Sequence, residues 1–249
     1  MTVICLDALG TLVELLAPAP LLVGQLRRRG IACSERQAGA ALREEIAFYR
    51  AHHDSAADLV SLELLRERCT EVLRDALAGA GVDAAVTAPH ELLRAALLAA
   101  LRFRAYPEVP AALRALRAAG HRLVVVSNWD VSLHDALRTT GLTGFVDGAI
   151  SSAEAGAAKP DPRIFARALA LAGGDAGGDA GGGCSSTFDD GAKAAVHVGD
   201  SLEHDVAGAL AAGMRAVLVV RAGAPPAVPE GVAVIGSLTQ LAPLTCCEP

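Results

Sequence analysis

Four short segments each place a polar group where an apolar run stops. They are Val3-Ile4-Cys5-Leu6-Asp7 leading into Gly10-Thr11, Leu123-Val124-Val125-Val126-Ser127-Asn128, Lys159-Pro160-Asp161-Pro162, and Val196-His197-Val198-Gly199-Asp200. In an open parallel α/β sheet, ligands bind in the crevice beyond the carboxyl ends of the strands. On such a sheet the carboxylates of Asp7 and Asp200, the Ser127-Asn128 pair and the ammonium of Lys159 would meet in one crevice. Each segment alone has a plain structural reading. An aspartate after an apolar run is a common turn former, Ser127-Asn128 and Asp200-Ser201 suit helix N-caps, and a lysine before proline usually sits in a solvated loop. All four at predicted strand ends point to a site.

Such a convergence needs parallel strands, and the rest of the chain has the pattern for them. Apolar runs at residues 1–6, 123–126, 148–151, 194–198 and 216–220 are short and nearly continuous, with a weaker one at 232–235. Runs of this kind mark strands buried on both faces. Helices are predicted between them at 133–137, 162–172 and 201–212, and a last one at 238–244. Pro107 and Pro110 open another through Leu113 and Leu116 that stops at Gly120, with proline at the start and glycine at the end. Alternation of strand and helix means parallel strands joined by right-handed crossovers.

Between the first two strands the character changes. Leu21, Leu22 and Leu26, then Ala41, Leu42, Ile46 and Tyr49, have helical spacing, and it continues through residues 59–77 and 92–103. About four helices are predicted there. The expected fold class is α/β, a Rossmann-like parallel sheet core with an inserted all-helical cap domain. The core would be discontinuous, residues 1–16 and 105–249, with the cap at 17–104 overhanging the carboxyl edge of the sheet. Residues 173–192 are so rich in glycine that a flexible loop insertion within the core is predicted.

With 249 residues, 52% hydrophobic and 20% charged, the chain can bury a full core. A net charge of -6 argues against nucleic acid or an anionic membrane as partner. A phosphorylated substrate stays compatible, because one lysine and a metal can supply the local positive charge. The first residues lack the pattern of a signal peptide, and runs such as 93–101 are too short to span a bilayer, so a cytoplasmic location is expected. The six cysteines have no C-x-x-C spacing, which indicates neither zinc nor a disulfide framework. His197 lies within an apolar strand and is expected to be a satisfied core residue.

In order and position, the four segments resemble the motifs of the haloacid dehalogenase (HAD) superfamily, and a helical block after the first strand resembles the cap of its subfamily I. Asp7-Ala8-Leu9-Gly10-Thr11-Leu12 and Ser127-Asn128-Trp129-Asp130 are most similar to the subgroup typified by the rhythmically expressed gene 2 products. The resemblance implies that Asp7 is a nucleophile attacking a substrate phosphorus to form an aspartyl-phosphate. Gly10 would allow the tight turn and Thr11 orient it. Ser127, with backbone N–H groups near Asn128, would hold the phosphoryl oxygens, and Lys159 would offset the charge collected there. Mg²⁺ would be held by Asp7, the carbonyl of Leu9, Asp200 and Asp205, a donor set suited to a hard cation. The expected substrate is a small phosphorylated metabolite; the sequence leaves the oligomeric state open.

One expected group is missing. Phosphatases of this superfamily carry a second aspartate two residues after the nucleophile, which protonates the leaving oxygen and later activates water. Leu9 stands there and cannot move a proton. Loss of a general acid/base costs about 10²–10⁴-fold in rate, or roughly 3–5 kcal/mol of barrier. Asp130, Glu203 and His204 are the nearby polar groups that could substitute. The haloacid dehalogenases also lack the second aspartate, since their nucleophile attacks carbon. They usually have an aromatic where Leu9 stands and a tyrosine where Phe165 stands. They work without metal and lack the carboxylate equivalent to Asp200. The expectation is therefore a Mg²⁺-dependent phosphatase, weak because of Leu9, with a dehalogenase or a non-catalytic binder as the alternatives.

Overall fold

The computed structural model describes residues 2–173 and 195–242. Apart from Gly173, the glycine-rich insertion lies outside the described residues. The chain divides into two compact units, Met1–Glu14 with Ala105–Pro249, and Leu15–Arg104.

The first unit is built on a six-stranded sheet. Its strands are β1 (Val3–Leu6), β4 (Arg122–Ser127), β5 (Gly148–Ser151), β6 (Val196–Gly199), β7 (Arg215–Val219) and β8 (Ala233–Ile235), in the spatial order β5-β4-β1-β6-β7-β8. Every pairing is parallel. Among the described residues, the α-helices of this unit are α6 (Val109–Ala118), α7 (Leu133–Thr139), α8 (Ser152–Ala155), α9 (Pro162–Gly173) and α10 (Gly208–Ala211). Cys5, Val124, Val126 and Leu218 pack with Ile164 and Phe165 of α9 and with Val206 and Ala209. The alternate strand residues Ile4, Leu6, Val125, Val217 and Val219 are buried as well. With both faces covered, the strands can be apolar throughout, which is why they read as continuous runs.

The second unit holds α1 (Pro18–Arg27), α2 (Glu35–His52), α3 (Leu59–Gly79), α4 (Ala84–Thr87) and α5 (His90–Ala100). Ser34 and Gln37 form a capping box at the start of α2, and Asp58 and Ser61 form one at the start of α3, satisfying N–H groups that a helix leaves unpaired. Leu22, Leu26, Leu73, Leu77, Leu93 and Leu97 are almost wholly buried. Helical spacing thus predicts this unit well, but places the end of α5 at residue 103 rather than at Ala100. Phe103 instead begins β3 (Phe103–Ala105), which pairs with β2 (Val13–Leu15). The chain passes from one unit to the other within these two strands. Three residues are too few for a periodic signal.

Two further elements differ from the sequence expectation. The helix predicted at 201–212 opens as a π-helical segment, Leu202–Ala207, before α10. Val206 N donates to Ser201 O at 3.1 Å across five residues, and the wider turn lets the Asp205 carboxylate reach back to Ser201 N at 2.9 Å. Such bulges are frequent at functional sites. The last predicted helix begins as a 3₁₀ turn, Leu238–Gln240, and its final residues lie outside the described ones. Among the described residues, no helix is long and apolar enough to cross a membrane.

Candidate active site

The connections from β1 and β6 leave in opposite directions, β1 toward β4 and β6 toward β7. The crevice between their carboxyl ends is therefore a topological switch point, where open α/β sheets bind ligands. Asp7 follows β1 directly and Asp200 follows β6, with Leu6 paired to Val198 in register. Ser127 ends β4 on the other side of β1.

Asp7 is 6% exposed, and its Oδ1 accepts from Ser127 Oγ at 2.9 Å and from Lys159 Nζ at 2.6 Å. Lys159 Nζ also donates to Asp205 Oδ1 at 2.5 Å. Asn128 fixes the lysine backbone from both sides: its Nδ2 donates to Lys159 O at 2.9 Å and its Oδ1 accepts from Lys159 N at 2.7 Å. The Asn128 side chain thus secures the segment that carries the lysine. Asp205 Oδ1 also pairs with His197 Nε2 at 2.8 Å. A carboxylate can only accept, so that nitrogen carries the hydrogen.

Burial pushes the Asp7 carboxyl up to about 6, against the opposing pull of Lys159. For Asp205, burial also disfavours the charge, but Lys159 and His197 outweigh it and hold the group below the usual carboxylate range. Lys159 is penalised by burial too, yet the flanking Asp7 and Asp205 raise it above the ordinary lysine value. One buried cation is thus shared by two carboxylates. Asp200 is solvent-accessible, and partial desolvation followed by the charge on Asp205 pushes it upward.

Two glycines make this density possible. Gly10 has φ +86°, and a Cβ there would lie 2.0 Å from Asp200 Oδ2; a Cβ on Gly199 would lie 2.1 Å from Asp205 Cγ. With those positions bare, one carboxylate oxygen from each of Asp7, Asp200 and Asp205 comes within 4.8 Å of the others. Three converging carboxylates form an all-oxygen donor set, which fits a hard divalent cation.

The turn after Asp7 adds a further donor. Across residues 8–13, the Ala8 carbonyl accepts from three turn N–H groups and the Val13 carbonyl from Gly10 N. The Leu12 carbonyl accepts from Tyr106 N, and the Gly10 and Thr11 carbonyls accept from Arg221. The carbonyl of Leu9 accepts no hydrogen bond among the described residues, so both its lone pairs are available. The Leu9 side chain is 37% exposed. Thr11 is fully buried inside the turn, and its Oγ1 has no partner among the described residues.

The structure therefore brings Asp7, Ser127, Lys159, Asp200 and Asp205 together, with Leu9 and Thr11 on the adjoining turn. The three acid/base substitutes differ in their surroundings. Asp130 is buried and accepts from Ser132 N at 2.6 Å, while Glu203 and His204 are exposed. His197, expected to be a core residue, is indeed fully buried, but it is bonded to Asp205, and its Nδ1 has no partner among the described residues. Sequence reading also misses Arg221. A polar residue just beyond the apolar run of β7 is the same signal that identifies Asp7 and Asp200.

A strand-end carboxylate, a lysine shared with a second carboxylate and a third carboxylate at the switch point of a parallel sheet are the arrangement of a hydrolase of the haloacid dehalogenase type. The family description "Hydrolase: haloacid dehalogenase-like hydrolase" matches residues 1–213, and the chain belongs to that family. Among its relatives is the human haloacid dehalogenase-like hydrolase domain-containing protein 3, 38% identical over 141 residues, 55% of this chain and 50% of that protein. The phosphoserine phosphatase of Thermus thermophilus is 36% identical over 166 residues, 66% of this chain and 58% of that protein. The chain thus spans about half the length of these relatives. Among solved structures, a 2-haloacid dehalogenase from Pseudomonas syringae is 28% identical with a TM-score of 0.59, over 98% of this chain and 97% of that one.

Proposed function

We propose that the chain is a Mg²⁺-dependent phosphatase acting on a small phosphorylated metabolite, with Asp7 as nucleophile. The observation that carries this reading is the convergence of Asp200 with Asp7 and Asp205. A reaction at carbon has no use for a third carboxylate at this point, whereas a cation held there would offset the negative charge of a phosphoryl group. Asp7, the Leu9 carbonyl, Asp200 and Asp205 would hold the Mg²⁺, which when bound would polarise the phosphoryl oxygens.

An oxygen of the ionised Asp7 carboxylate attacks phosphorus, the bond from phosphorus to the leaving oxygen breaks, and an aspartyl-phosphate remains. Lys159, charged between Asp7 and Asp205, offsets the charge that builds up. Ser127 Oγ and the backbone N–H groups near Asn128 hold the phosphoryl oxygens, and the Asn128 side chain fixes the lysine segment. Thr11 steadies the turn from inside. Water then attacks the phosphorus and releases phosphate, restoring the Asp7 carboxylate. With Leu9 in place of a proton donor, turnover is low except for leaving groups that need little protonation, such as acyl and aryl phosphates.

The second reading is a metal-independent hydrolase in which Asp7 attacks carbon, as in a 2-haloacid dehalogenase. It is favoured by Leu9, because displacement of halide needs no leaving-group acid. Hydrolysis of p-nitrophenyl phosphate with Mg²⁺ and with EDTA, in wild type and Asp7→Asn, separates the two. Activity that needs both the metal and Asp7 supports the phosphatase. No activity, together with release of chloride from 2-chloropropionate in EDTA, supports the second reading.

A further inference from the structure

We infer that Arg221 is a positioning residue for the cation site, an inference that rests on the phosphatase reading above. Arg221 lies just beyond β7, more than two hundred positions along the chain from the turn it holds. Its Nε donates to Gly10 O at 3.2 Å and its Nη2 donates to Thr11 O. Its Nη1 is paired with Glu108, and its guanidinium carbon lies 3.6 Å from the centre of the Tyr106 ring. The guanidinium is therefore held by a carboxylate and an aromatic face and spends two donors on successive carbonyls. Tyr106 N reaches the next carbonyl, Leu12 O, at 3.1 Å.

The consequence falls on Leu9. Gly10, Thr11 and Leu12 have their carbonyls taken up from this side, which leaves the Leu9 carbonyl as the unclaimed acceptor of the turn among the described residues. The same grip fixes Gly10 against Asp200, where there is no room for even a Cβ. Arg221 thus sets the spacing between the turn and Asp200 through the backbone carbonyls that it holds. Residues that orient metal ligands from behind act in this way. A lysine could reach one carbonyl but lacks the planar fork that spans two of them and stacks on a ring.

The test uses Mn²⁺ as probe, titrated into the protein without substrate and followed by electron paramagnetic resonance. Wild type should bind it and Asp200→Asn should not. Arg221→Met and Arg221→Lys, each shown to be folded by circular dichroism, should bind it about 10-fold or more weakly. In turnover, both variants should need more Mg²⁺ for half-maximal rate, while kcat at saturating Mg²⁺ recovers most of the wild-type value. Wild-type Mn²⁺ affinity in both folded Arg221 variants overturns the inference and leaves the phosphatase reading standing. Should Arg221→Met fail to fold, the lysine variant decides jointly with Glu108→Gln, which loosens the guanidinium and should weaken Mn²⁺ binding in the same direction. Absence of Mn²⁺ binding by wild type overturns the metal reading and this inference with it.

Discussion

Gly10 and Asp200 share the space of a single side chain: a Cβ on Gly10 would lie 2.0 Å from Asp200 Oδ2. The two residues come from the ends of strands almost two hundred positions apart, and the absence of one methyl group lets the second carboxylate sit beside the turn that follows the first.

Replacing Gly10 with alanine should therefore displace Asp200 as well as strain the turn. The φ of +86° alone costs a non-glycine residue roughly 1–2 kcal/mol. Gly10→Ala is expected to lower the melting temperature modestly and to reduce Mg²⁺-dependent turnover by about 10-fold or more, as loss of metal-ligand placement does. Unchanged kcat/KM in a folded variant would refute this account of the contact.

Lys159 is the sole cation hydrogen-bonded to Asp7 and Asp205 among the described residues. Lys159→Met should abolish turnover and lower stability at neutral pH by about 3–5 kcal/mol, because two buried carboxylates are left without their counter-charge. The pH dependence follows from that loss. Without the ammonium, Asp7 loses the pull that opposes its burial and Asp205 loses the larger influence that holds it down. Both carboxyls therefore bind protons more readily in the folded variant than in the folded wild type. Folding of the variant then takes up more protons than folding of wild type, and the deficit relative to wild type shrinks as the pH falls. Urea midpoints of the two proteins at pH 8 and pH 5 measure this, and a gap that widens at pH 5 would count against it.

Leu9→Asp should restore a proton donor where the chain has none. The side chain is 37% exposed, so a polar replacement carries little burial cost. Turnover of alkyl phosphates is expected to rise by about 10²-fold or more, with a smaller gain for p-nitrophenyl phosphate, whose leaving group needs little protonation. Equal rates in the folded variant and wild type would remove Leu9 as the cause of weak activity.

In the helical unit, Glu45 of α2 is 2% exposed, and its Oε2 has no partner among the described residues. Burial pushes its carboxyl up to about 7, with a hydrogen bond from Cys69 opposing the shift. The folded state thus holds this proton where the unfolded chain has released it, and stability contributed by the protonated form is lost as the pH rises from about 4.5 to 7. At 1.36 kcal/mol per pH unit the loss is roughly 3 kcal/mol. Glu45→Gln should remove that slope. Chemical denaturation at pH 5 and pH 7.5 reads it directly, and identical pH profiles for the two proteins would exclude Glu45 as the source.

The sequence by itself determined the parallel sheet and most of the polar residues that meet at its carboxyl edge. Strands such as β4 are buried on both faces, and burial on both faces selects apolar residues in unbroken runs. The polar residue that ends each run is then conspicuous, and parallel topology forces such ends onto one edge. Asp7, Ser127, Asp200 and, through its loop, Lys159 are legible for that reason. What only the tertiary structure decided is how these groups divide their bonds. That Lys159 is shared by Asp7 and Asp205, that Asn128 grips the lysine backbone, and that His197 backs Asp205 depend on distances between segments far apart in the chain. No local pattern encodes them. The π-helical turn before α10 is of the same kind, since a six-residue widening leaves no periodicity to read. Arg221 shows the limit most clearly: its position after β7 is visible in the sequence, but its hold on the Gly10 and Thr11 carbonyls exists only once β7 and the turn after β1 have been folded onto the same edge.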